Sequence, residues 1–94
     1  MTREREVKYR VYWTKTAVRD LRRLDRRLAE RIIDSVEEAS LNPLRYFKKL
    51  RGLPFYSLRI GDYRVLVSLD HSRRTLVVLV VEHRRRAYRR ARTK

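Results

Sequence analysis

Hydrophobic and polar positions change period along the chain, and each change marks an element. Val7, Tyr9, Val11 and Trp13 alternate with Lys8, Arg10 and Tyr12, the two-residue period of a strand with one buried face. Ala17, Val18, Leu21 and Leu24 then follow helical spacing, with Thr14 or Thr16 available as the cap. Asp25 is placed to cap a second helix, whose stripe is Leu28, Ile32, Val36 and Ala39 with Ala29 and Ile33 beside it. "LNPL" stops that helix, because Pro43 pushes Asn42 out of helical geometry. Two amphipathic helices joined this tightly predict an antiparallel helical hairpin lying on a sheet.

From residue 45 the period returns to two. "YFKKLRGLP" predicts a short edge strand that ends at Gly52 and Pro54. Tyr56, Leu58 and Ile60 alternate with Ser57 and Arg59, and Gly61-Asp62 fits a two-residue hairpin loop with glycine first. Tyr63, Val65, Val67 and Leu69 carry the next strand, and "DHSRR" turns the chain again. "TLVVLVVE" (75–82) is apolar on both faces and belongs in the middle of the sheet. The predicted order is strand, two helices, then three or four strands. That is an α+β fold of two layers, an antiparallel β-sheet packed against a helical hairpin, in one domain over residues 1–94 with a basic segment at 83–94.

The same alternation says which positions face away from the helices. If Tyr56, Leu58, Ile60 and Val65 point toward them, Ser57, Arg59 and Arg64 point to the other side. An arginine inside an apolar strand is costly unless that face is solvated or the charge is paired, so the free face of the sheet is expected to be a basic groove. Charge strengthens this picture. The chain carries 26 basic and 11 acidic side chains, net +15, a balance that suits a polyanionic partner such as nucleic acid. Residues 1–46 hold 12 basic and 8 acidic side chains, residues 47–94 hold 14 and 3. The second half is where an anion would dock, with Lys48, Lys49 and Arg51 ahead of the hairpin and "EHRRRAYRR" (82–90) after the last strand.

Several chemistries drop out. Without cysteine there is no thiolate or disulfide. His71 and His83 lack spaced partner ligands, so no metal site is expected, and no nucleophile–histidine–acid set or glycine-rich elbow occurs. The N-terminus is too charged for a signal peptide and no apolar run approaches a membrane span, which makes the cytoplasm the expected location. What remains is Arg59, Arg64, Arg84, Arg86 and Tyr88. Arginine clamps phosphate bidentately. RNA cleavage by in-line attack of the 2′-hydroxyl needs positioning and stabilisation of growing negative charge, which fixed cations can supply. A phenol among arginines has its phenolate favoured, so Tyr88 could exchange a proton or, alternatively, stack on a base. The arginine run read alone is equally consistent with a solvated tail.

"KKLRGLPFYSLRIGDYRVLVSLD" followed by "VLVVEHRRRAYRR" resembles the RelE/ParE superfamily of toxin–antitoxin toxins, and archaeal RelE-type proteins especially, over about Val7 to Arg90. The resemblance implies a RelE-like fold and a cofactor-free, metal-independent mRNA endonuclease. It implies cutting in the ribosomal A site that leaves a 2′,3′-cyclic phosphate and a 5′-hydroxyl. It also implies a RelB-like antitoxin that covers the basic groove. By position it assigns catalysis to Arg64, Arg84 and Tyr88; Arg59, Arg86, Lys48, Lys49 and Arg51 are expected, from their charge, as RNA or phosphate contacts. The sequence departs where the family carries two lysines before the hairpin: here those positions are Ser57 and Arg59. Two alternatives stay open, a ParE-like gyrase inhibitor without nuclease activity and a non-catalytic nucleic-acid-binding protein.

Overall fold

Thr14 and Asp25 organise the helical half. Both have extended backbone geometry, and their side chains accept the backbone N–H of Ala17 (3.1 Å) and Leu28 (3.2 Å), each satisfying a donor that a first helical turn leaves free. In the computed structural model, which describes residues 8–84, they open α1 (Lys15–Arg22) and α2 (Arg26–Ala39). The predicted stripe of α2 is the buried one: Ile32, Val36 and Ala39 are closed to solvent and Leu28 packs beside them. The pattern predicts only a stop at Pro43, but the proline begins one further turn, α3 (Pro43–Tyr46). Proline is well suited to that place, since its missing N–H would have had no helical acceptor.

The strands are β1 (Arg10–Trp13), β2 (Lys48–Lys49), β3 (Tyr56–Ile60), β4 (Tyr63–Asp70) and β5 (Thr75–His83). They form one five-stranded sheet in the order β1-β5-β4-β3-β2. From β2 to β5 the pairing is antiparallel, as expected. β1 differs: it runs parallel to β5, with Arg10 opposite Thr75 and Trp13 opposite Val78. Side-chain alternation is the same in both kinds of pairing, so a period of two carries no information about strand direction. Gly61 and Asp62 are the two loop residues between the paired Ile60 and Tyr63. Gly61 has φ +61°, the left-handed first position that a type II′ loop requires.

The core lies between the sheet and the helices. Ile60, Val65, Val67, Leu76, Val78 and Val81 face Ala17, Ile32, Val36, Ala39 and Phe47, and burying each larger side chain contributes about 1.5–3 kcal/mol. α1 packs on β5 and β1, and α2 on β3 and α3. The buried positions of β5 break the two-residue rhythm, because Leu76 and Val78 are followed by Val81. Leu66 pairs with Val80 but Val67 pairs with Val78, which leaves Leu79 as a β-bulge. A bulge re-aims every residue beyond it. Without it Glu82 would share the face of Leu76 and Val78, inside the core.

Candidate nucleic-acid interface

Directly opposed residues of an antiparallel pair lie on one face with Cβ atoms about 4.5–5.5 Å apart. Arg59 opposes Arg64 and Arg64 opposes Glu82, so these three side chains form a row across β3, β4 and β5 on the face away from the helices. A second row runs Lys48, Ser57, Leu66, Val80. Two arginines directly opposed repel one another, a local conflict of the sort that marks functional sites. The fold moderates it from both sides. Glu82 brings a carboxylate next to Arg64 in register, and Arg59 turns its Nε–H toward the Gly61 carbonyl at 3.3 Å. Arg64 is half-buried, and its Nε is shielded from solvent with no hydrogen-bond acceptor among the described residues. Leaving such a donor without an acceptor costs about 1–3 kcal/mol, a cost that a phosphate oxygen docked on this face would remove.

Arg84 follows β5 directly. Its backbone N–H donates to the Asp62 carbonyl at 2.7 Å, which fastens the exit of β5 to the loop between β3 and β4. On the opposite face, Tyr63 and His83 are paired in register and meet edge to face at 5.4 Å. The other edge of β5 is held by α1 and the residue before it. Thr14 donates its hydroxyl to the Leu79 carbonyl at 3.1 Å and Asp20 Oδ2 accepts the Val81 N–H at 3.0 Å. Arg59, Arg64 and Arg84 are thereby carried on a braced part of the sheet.

The predicted contacts separate by register. Lys48 opposes Ser57 and shares the basic face, whereas Lys49 opposes Tyr56 and lies on the other one. Arg51 is exposed in the turn after β2, outside the paired rows. Arg86 and Tyr88 lie outside the described residues. The residues that sequence reasoning passed over are Glu82 and Asp20. A lone acid closing an apolar strand just before an arginine cluster is a usable sign for Glu82. Nothing local marks Asp20, which reads as solvated helix charge and instead holds a strand 61 residues away.

The opposite end of the sheet has a structural character. Asp70 Oδ1 accepts from Ser72 Oγ (2.8 Å) and the Arg73 N–H (3.1 Å). These bonds, that from Ser72 first, hold its carboxyl below the usual carboxylate value. His71 in the same turn shares a 2.7 Å hydrogen bond with the Tyr9 hydroxyl and stands edge-on to Tyr9 and Tyr56. It clips the segment before β1 to the β4–β5 turn.

Comparison with known proteins agrees with this architecture. The chain is 39% identical to toxin RelG of Mycobacterium tuberculosis over 85 residues, covering 87% of this chain and 98% of that protein. Toxin RelE of the same organism is 37% identical over 86 residues, with 86% and 87% covered. Among solved structures, the M. tuberculosis RelBE2 toxin–antitoxin complex matches with TM-score 0.78 and 38% identity over 83% of this chain and 93% of that one. The archaeal RelE–RelB complex of Pyrococcus horikoshii matches with TM-score 0.71 and 26% identity, over 83% and 97%. Identity is thus higher to these bacterial toxins than to this archaeal one, and the archaeal emphasis of the sequence resemblance is not supported. Residues 11–88 match the model of the family described as the ParE toxin of type II toxin–antitoxin systems. With its sheet, helices and most of its length accounted for by these relatives, the chain belongs to the RelE/ParE family of type II toxin–antitoxin toxins.

Proposed function

We propose that this toxin is an endonuclease that cuts ribosome-bound mRNA and that a RelB-like antitoxin neutralises it. The observation that carries the proposal is the row Arg59–Arg64–Glu82 with Arg84 fastened at its end. It carries several guanidinium groups on a braced backbone, an arrangement suited to clamping a scissile phosphate, and Arg64 keeps a shielded donor for it. In the proposed reaction the 2′-hydroxyl attacks the adjacent phosphorus, the P–O5′ bond breaks, and a 2′,3′-cyclic phosphate and a 5′-hydroxyl result. Arg64 and Arg84 stabilise charge on the non-bridging oxygens, and Glu82 stands opposite Arg64 in register as a neighbouring negative charge. Arg59 and Lys48 hold flanking phosphates, with Arg86, Lys49 and Arg51 adding attraction at the margin. Tyr88 exchanges the proton, because arginine is a poor proton acceptor and Ser57 and Arg59 stand where the family carries lysines. The ribosome supplies alignment of the message. The same cationic face suits an acidic antitoxin segment, and the M. tuberculosis and P. horikoshii relatives were solved as complexes with their antitoxins.

Primer extension on ribosome-programmed mRNA tests this reading. Wild type is expected to cut with or without chelator. Arg64→Ala, Arg84→Ala and Tyr88→Phe are expected to lose about 100-fold or more, since each removes a transition-state contact. Intact message with wild type, together with inhibition of gyrase supercoiling, would replace the nuclease reading by gyrase poisoning. Salt-dependent RNA binding with neither activity would leave a binding protein only.

A further inference from the structure

We propose that Asp20 is a positioning residue for the arginine end of β5, a role that rests on the nuclease reading above. The pairing of β1 with β5 ends at Trp13 opposite Val78. Beyond that point no strand among the described residues lies beside the outer edge of β5, and α1 takes over. Thr14 caps the helix and donates to the Leu79 carbonyl, and Asp20 accepts the Val81 N–H at 3.0 Å. Two side chains therefore act as rungs where a sixth strand would otherwise lie. Val81 is only 3% exposed, so water is a poor substitute for the carboxylate.

The location of this rung gives it a catalytic consequence. Glu82, which flanks Arg64, is the next residue, and Arg84 is three residues further than Val81. Arg84 is tied on the opposite side by its N–H to the Asp62 carbonyl. The segment Val81–Arg84 is thus gripped at both ends, by Asp20 at its start and Asp62 at its finish. The Leu79 bulge immediately upstream is the place where β5 can most easily slip, because a bulge interrupts the ladder. Asp20 fixes the strand just past that weak point. Losing it lets Glu82 and Arg84 shift together relative to Arg64 on β4, with the core below still in place.

Asp20→Ala and Asp20→Asn separate this from a merely structural role. Asparagine keeps an oxygen in the same place and is expected to cut ribosome-bound message within about threefold of wild type. Alanine is expected to lower kcat by about 10- to 100-fold with KM nearly unchanged, as a displacement of about 1 Å at a positioned group does. Amide hydrogen exchange is the readout independent of activity. In Asp20→Ala the Val81 and Arg84 amides should exchange about tenfold faster or more, with the Val65 and Val67 amides unchanged. Wild-type kcat in Asp20→Ala, an equal loss in Asp20→Asn, or unchanged protection at Val81 would each overturn the proposal. Should Asp20→Ala fail to fold, Asp20→Asn decides: it must keep both cleavage and Val81 protection. If wild type itself leaves messages intact, the nuclease reading falls, and the exchange data alone judge the tie.

Discussion

Lys48 and Lys49 are adjacent, identical in chemistry and both exposed, yet the sheet register assigns them opposite faces. Only Lys48 lies with Arg59 and Arg64. Replacing each in turn by alanine asks whether RNA is held by defined contacts or by diffuse attraction. Among the described residues, Lys48, Arg59, Arg64 and Arg84 are the cations gathered around β3 and its loop to β4 on the basic face, with Arg10 at the far β1 edge of the same face, opposite Thr75. For a single strand, the slope of log K against log salt is roughly −0.7 per phosphate neutralised, so four contacts give about −2.8. Between 50 and 200 mM salt that corresponds to about a 50-fold loss of affinity. Lys48→Ala should reduce the magnitude of the slope by about 0.7, and the loss over the same range to about 20-fold. Lys49→Ala, on the other face, should change the slope far less. The assay is fluorescence anisotropy with a 2′-O-methyl RNA oligomer, which cannot be cleaved, titrated at several salt concentrations. Residues 85–94 contribute equally to all variants and cancel in the comparison. An equal fall in slope for the two lysines would refute the register argument and reduce the face to unspecific attraction.

Three further outcomes follow from the same geometry. Arg59→Thr removes one member of the directly opposed arginine pair and is expected to stabilise the fold by about 0.2–1 kcal/mol in urea denaturation while weakening RNA binding. Gly61→Ala meets no atom within 4 Å of the added Cβ, so its cost is conformational alone, about 1–2 kcal/mol at φ +61°. Because Asp62 anchors Arg84, cleavage should fall as well, and unchanged activity at reduced stability would show that the loop does not position Arg84. Asp70 has a lowered carboxyl pKa, so its ionised form stabilises the fold above the ordinary carboxylate range, and this contribution is lost as pH falls through the folded-state value. Wild type should therefore exceed Asp70→Asn in urea midpoint at neutral pH, and the difference should close on acidification. A gap that persists in strong acid would contradict this account.

The sequence by itself determined what neighbours in the chain can settle. Thr14 and Asp25 as caps, the α2 stripe, the Gly61-Asp62 loop and the outward positions of Arg59 and Arg64 follow from local periodicity and turn chemistry. Each is visible within a few residues. Only the tertiary structure decided that β1 runs parallel to β5, that Lys48 and not Lys49 joins the arginines, and that Asp20 holds Val81. It also decided that Glu82 stands beside Arg64. The apolar run before Glu82 concealed this, because residues 76–81 are all leucine or valine and leave no polar position to reveal the bulge at Leu79. Strand direction, register and bulges depend on which edges meet across long separations, and side chains that alternate alike in every pairing cannot record that choice.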